Sequence, residues 1–185
     1  MEGDSTISEK FDVALTIKNG WCELSVETDE QTHSFKATFM RNALNNLVEA
    51  TLALAEGADV ACVLWGGEGN APGANVFLDM SLDHYGNMGV AVHEAEHWTW
   101  LQPTTKWTPR RGKCLLEAYV PFSGFLVGLT RELQRIRVND TDESAFITQW
   151  RHSFPAAKFE ALERIGGRHG YIPRSKEELN RLSNP

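Results

Sequence analysis

Residues 11–27 constrain the fold more than any other stretch, because apolar and polar side chains alternate on both sides of an Asn-Gly pair. Phe11, Val13, Leu15 and Ile17 fall on one face, and Asp12, Ala14 and Thr16 on the other. A period of two is the mark of a strand with one buried face. Asn19-Gly20 suits a two-residue type I′ turn, in which both central positions need positive φ. The alternation then resumes through Cys22, Leu24 and Val26. These residues therefore predict a β-hairpin. Its second strand turns Trp21, Glu23, Ser25 and Glu27 the other way, and Asp29 and Glu30 follow in the next turn. That face is expected to be solvated and strongly negative.

Beyond the hairpin the period changes. Residues 33–39 read either as a third strand or as the approach to a helix, but Phe39, Ala43, Leu47, Ala50 and Leu54 recur every three or four positions, as on an amphipathic helix. Gly57 can end it in the left-handed conformation. The apolar run at 60–65 predicts a strand buried on both faces, hence central in its sheet. Glycine-rich 66–73 lacks the Lys-Ser/Thr pair of a phosphate loop and leads into an extended segment, so it reads as a hairpin connection. Residues 75–82, 88–101 and 113–120 predict three successive antiparallel strands.

After Pro121, the spacing of Phe122, Phe125, Leu126, Leu129, Leu133 and Ile136 predicts a strong helix. Further helices are expected around Phe146 and Trp150, and from Pro155 through Phe159 and Leu162 to Gly166-Gly167. Ser175 and Glu178 have the spacing of a capping box before a last short helix through Leu182. The expected class is α+β: a mostly antiparallel sheet of five to seven strands, helices packed on one face, and a helical C-terminal third. At 185 residues, 42% of them hydrophobic, the chain supports one domain over 1–185, with 1–9 disordered and 168–185 a peripheral tail.

No run approaches the roughly 18 apolar residues of a membrane span, and the first ten residues are polar and acidic, so a cytoplasmic protein is expected. Cys22, Cys62 and Cys114 show no C-x-x-C spacing and sit in apolar segments, which predicts buried free thiols. Charge is segregated. Residues 1–100 hold four Lys and Arg against sixteen Asp and Glu, a net of −12; the rest hold fourteen against nine, a net of +5, which together give −7. A surface of one sign selects partners of the other and speeds their association, although the two signs can also neutralise each other across the folded body.

His93-Glu94-Ala95-Glu96-His97 matches the H-E-x-x-H signature of zinc peptidases. On a helix, two imidazoles one turn apart can share a metal while the glutamate activates a water. On a strand they stand roughly 13 Å apart, beyond the reach of two zinc bonds. Val90, Val92, Trp98, Thr99 and Trp100 favour a strand, and no third ligand follows at a suitable spacing. The expected protein therefore has no catalytic residues, metal or cofactor. A zinc peptidase using His93, Glu94 and His97 is the alternative. Lys106, Trp107, Arg110, Arg111 and Lys113 form a short basic and aromatic loop; a nucleic-acid-binding module is thus a second alternative, and a less favoured one on an acidic chain.

Trp65-Gly66-Gly67-Glu68-Gly69 after an apolar strand, the helix before it, and the later Trp150, Phe154-Pro155 and Leu162 resemble a group of small bacterial proteins, many of them immunity proteins of polymorphic toxin systems. The loop at 102–111 and the tail after Gly167 are additions to that pattern. The resemblance implies a cytosolic protein that inactivates a cognate toxin by binding it, without chemistry of its own. For a basic toxin, such as a nuclease, the expected contact residues are Glu23, Glu27, Asp29, Glu30, Glu94 and Glu96.

Overall fold

The computed structural model describes residues 11–29, 32–39, 42–66, 75–96, 110–139 and 143–170. Strands β1 (Phe11–Lys18) and β2 (Trp21–Thr28) pair antiparallel from Phe11 with Thr28 to Lys18 with Trp21. Asn19 at φ 52° and Gly20 at φ 80° form the turn, as the sequence predicts. Residues 33–39 resolve as a strand: β3 (Thr32–Thr38) pairs with β2 and buries Phe35 and Ala37. The chain then reverses through Asn42, at φ 45°, into helix α1 (Ala43–Ala55). Phe39 thus precedes the helix and remains 37% exposed, while Ala43, Leu47 and Leu54 supply the buried stripe. Gly57, at φ 106°, follows the helix end.

Strands β4 (Val60–Gly66), β5 (Asn75–Leu82), β6 (Asn87–Glu96) and β7 (Arg110–Pro121) form a second antiparallel sheet in chain order. The α+β class stands, but the sheet of five to seven strands does not: the strands divide into three and four. The division falls between β3 and β4, where the Trp65 indole N–H donates to the Phe35 carbonyl at 2.9 Å. A buried side chain bridges the sheets where a continuous sheet would have a backbone ladder. β4, expected at the centre, is an edge strand of its sheet. Val63 and Trp65 are buried, whereas Val60 is 70% exposed and Cys62 is exposed. Its unbroken apolar run overstated its burial, because only alternate side chains on an edge strand face this core.

Helices α2 (Phe122–Asn139), α3 (Glu143–Trp150) and α4 (Ala156–Arg168) make up the described part of the C-terminal third. α2 buries Phe122, Phe125, Leu126, Leu129, Leu133 and Ile136, the stripe read from the sequence. It packs on β1 and against α4, and α1 packs on β4 and α4. One apolar cluster joins both sheets to all four helices. The edge of β1 is closed by side chains of α2: Glu132 Oε2 accepts from Leu15 N–H at 3.0 Å, and Arg135 donates to the Leu15 carbonyl. Glu132 and Arg135 are themselves paired at 2.8 Å, and Arg131 meets Asp12 at 2.9 Å. Among the described residues, no helix is long and apolar enough to cross a membrane. Residues 1–9, the glycine-rich segment 66–73 beyond Gly66, and the capping-box segment at 175–182 lie outside the described residues.

Candidate partner-binding faces

Strand alternation sends Val13, Leu15, Cys22, Leu24, Val26, Phe35 and Ala37 into the core, and this fixes the opposite face of the first sheet. Across that face the register sets Lys18 beside Trp21 and Thr38, Thr16 beside Glu23 and Lys36, Ala14 beside Ser25 and Ser34, and Asp12 beside Glu27 and Thr32. On the outer strands Ala14, Thr16, Lys18, Thr32, Ser34 and Lys36 are exposed, and Glu23, Ser25 and Glu27 on the central strand are half-buried between them. Trp21 is 50% exposed. The Ser25 and Ser34 hydroxyls bond across the strands at 2.6 Å, and Lys36 Nζ stands 3.9 Å from Glu23 Oε2. The face is therefore mixed in charge where the sequence suggested strong negativity. Carboxylates gather at the Asp12 and Glu27 end, with Asp29 exposed just past β2. Glu30 lies outside the described residues.

Glu94 belongs to another surface. On β6 it shares its side with Val90 and Val92, which are buried, and it is half-buried beside the core. Glu96 closes the same strand. The structure thus brings Glu23 and Glu27 together and keeps Glu94 apart from them. The strand geometry of β6 also puts His93 and Glu94 on opposite faces, so the pairing of ligand and base required by a zinc peptidase is absent at these two positions. His97 lies outside the described residues.

His93 instead joins a cluster on the outer side of the second sheet. Arg111, at the start of β7, reaches over β6 and donates to both Asp79 oxygens on β5, at 2.5 and 2.6 Å. Its guanidinium also lies 5.0 Å over the Phe77 ring and 3.6 Å from Cys62 Sγ. Those two bonds hold the Asp79 carboxyl below its usual range despite partial burial. His93 Nδ1 sits 3.3 Å from Asp79 Oδ2 without the alignment of a hydrogen bond. Burial, then the neighbouring Asp79, pushes the Cys62 thiol up to about 11, which disfavours a nucleophilic thiolate.

Among the cysteines only Cys22 is buried, its thiol pushed up to about 12 by desolvation; Cys62 and Cys114 are exposed. The expectation of three buried thiols fails because Cys62 lies on the outer side of an edge strand, and Cys114 beside the register shifts of β7. Of the basic loop, Lys106 and Trp107 lie outside the described residues, and Arg111 is committed to Asp79. The sequence singled out Cys62, His93 and Arg111 in separate motifs but not their union with Asp79, because the four come from four separate strands.

No family model, curated protein or solved structure matches this chain.

Proposed function

We propose that the chain is a non-enzymatic binding protein that blocks a cognate bacterial toxin, docking through the outer face of its first sheet. The observation that carries this reading is a solvent-facing sheet surface with a half-exposed tryptophan at one end and the carboxylates of Glu27 and Asp29 at the other. Buried aromatic anchors surrounded by polar residues are the usual anatomy of protein interfaces. The likeness of the Trp65 to Gly69 motif to immunity proteins supports a toxin as the partner, acting in the cytoplasm. The carboxylates steer a basic toxin surface into place and make the association rate fall with salt.

The test is complex formation with the purified product of the gene next to this one, inactivated by mutation where it proves toxic. A stable complex is expected, and Glu27→Lys should slow association several-fold at low salt with little effect on folding. If the wild-type chain forms no complex, or forms one whose association rate is indifferent to Glu27→Lys and to salt, the acidic-face inhibitor reading fails.

A further inference from the structure

Three of the five large apolar side chains exposed among the described residues lie on chain segments that meet at one corner, the Gly20 turn. Trp21 is 50% exposed, Ile147 40% and Phe39 37%. The corner is tied together by backbone bonds that converge on Gly20: its N–H donates to the Gln149 carbonyl of α3 at 2.5 Å, and its carbonyl accepts from Phe39 N–H at 2.9 Å. A Cβ on Gly20 would stand 3.1 Å from the Phe39 ring, so ring and turn are closely apposed. His152 bonds the Phe39 carbonyl through its ring, and the Arg151 N–H closes α3 onto the Ile147 carbonyl at 2.7 Å. These bonds fix the backbone of the three segments that carry Trp21, Phe39 and Ile147 before any partner arrives. Such preorganisation lowers the entropic cost of binding.

The charges beside the corner differ from those at the far end of the same face. Lys18 is the cross-strand neighbour of Trp21, and Arg151 follows Gln149 by two residues; both are exposed. Neither has an ion-pair partner among the described residues. Glu27 lies six residues along β2 from Trp21, roughly 20 Å away at strand rise. The face therefore carries cations without an ion pair beside Trp21 at one end and the carboxylates of Glu27 and Asp29 at the other, where Asp12 is already paired with Arg131.

We infer that Trp21, Phe39 and Ile147 anchor the partner, and that the partner is a folded protein offering an apolar socket flanked by carboxylates, with Lys or Arg about 20 Å away to meet Glu27. This rests on the binding-protein reading and adds to it the anchor, the socket and a single docking polarity. A nucleic acid could stack on Trp21 beside Lys18, but its phosphates would meet Glu27 and Asp29 on the same face, and the chain carries a net charge of −7. A protein carrying both signs satisfies both ends.

The experiment measures Kd and association rate for the same inactive toxin with Trp21→Ala, Ile147→Ser, Lys18→Glu and Glu27→Lys, alongside thermal unfolding of each variant. Trp21→Ala and Ile147→Ser, which lie on different elements, should each weaken binding by about thirty-fold or more through faster dissociation while the fold is retained. Lys18→Glu should weaken it by about ten-fold and be partly rescued by reversing a partner carboxylate. If Glu27→Lys weakens binding but the folded Trp21 and Ile147 variants bind like wild type, the anchor is refuted and the inhibitor reading survives. If the wild type binds no toxin, both fall. Tight binding of a single-stranded oligonucleotide that is lost in Trp21→Ala would also refute the protein socket.

Discussion

Asp83 shows how much one side chain can organise. Its carboxylate accepts from the Tyr85 and Asn87 N–H groups at 2.8 Å each and from the Tyr119 hydroxyl, tying the β5–β6 turn to β7. The Tyr119 hydroxyl first, then the backbone donors, pull its pKa from 3.8 to about 2. Because the folded value lies below the unfolded one, the stabilisation is complete above about pH 4 and is lost as pH falls toward 2. Asp83→Asn should therefore flatten the decline in urea midpoint between pH 4 and 2 relative to wild type. An unchanged slope would assign that decline to other carboxylates.

Among the elements, β1 is the clearest case of an edge managed by side chains. Leu15 presents both backbone groups sideways, and α2 meets them with a glutamate and an arginine one turn apart on the helix, where another strand would bring a carbonyl and an amide. Arg135→Ala leaves the Leu15 carbonyl and the Glu132 carboxylate, which is only 13% exposed, short of a partner. The expected cost is about 1–3 kcal/mol, with faster hydrogen exchange at the Leu15 amide. Retained stability and exchange would mean that packing alone secures this edge. The elements were largely legible in the sequence, because period-two and helical spacings are local: the hairpin, β5 and α2 lie where the spacing puts them, while α1 begins at Ala43 and not at Phe39, and β7 begins at Arg110, inside what read as a loop to Gly112. The break between the sheets was not, since it depends on Trp65 reaching Phe35 from thirty residues away. β4 was misplaced for a related reason: an apolar run records hydrophobicity but not which neighbours cover it. At the candidate site, the outward set of Trp21, Glu23 and Glu27 follows from strand parity. Its union with Ile147 and Arg151 needed the docking of α3 onto the hairpin turn.

At the scale of the whole molecule, two sheets that share no ladder still share one core. Trp65, Leu24, Leu129 and Phe159 belong to one buried cluster although they come from separate elements. Such a core predicts a single cooperative unfolding transition, with fluorescence and far-ultraviolet dichroism giving coincident midpoints. Separate midpoints would mean that the sheets are independently stable. The core also leaves the first sheet's outer face outside the stabilising interior, free to carry residues chosen for contact. The central claim is that this face receives the partner, and a heteronuclear NMR titration with inactive toxin tests it most directly. The Trp21 indole, identified by its loss in Trp21→Phe, and resonances around Glu23, Glu27 and Ile147 should shift, while those of Cys62, Phe77 and Arg111 on the second sheet stay in place. Shifts confined to the second sheet, with Trp21 unmoved, would contradict the account.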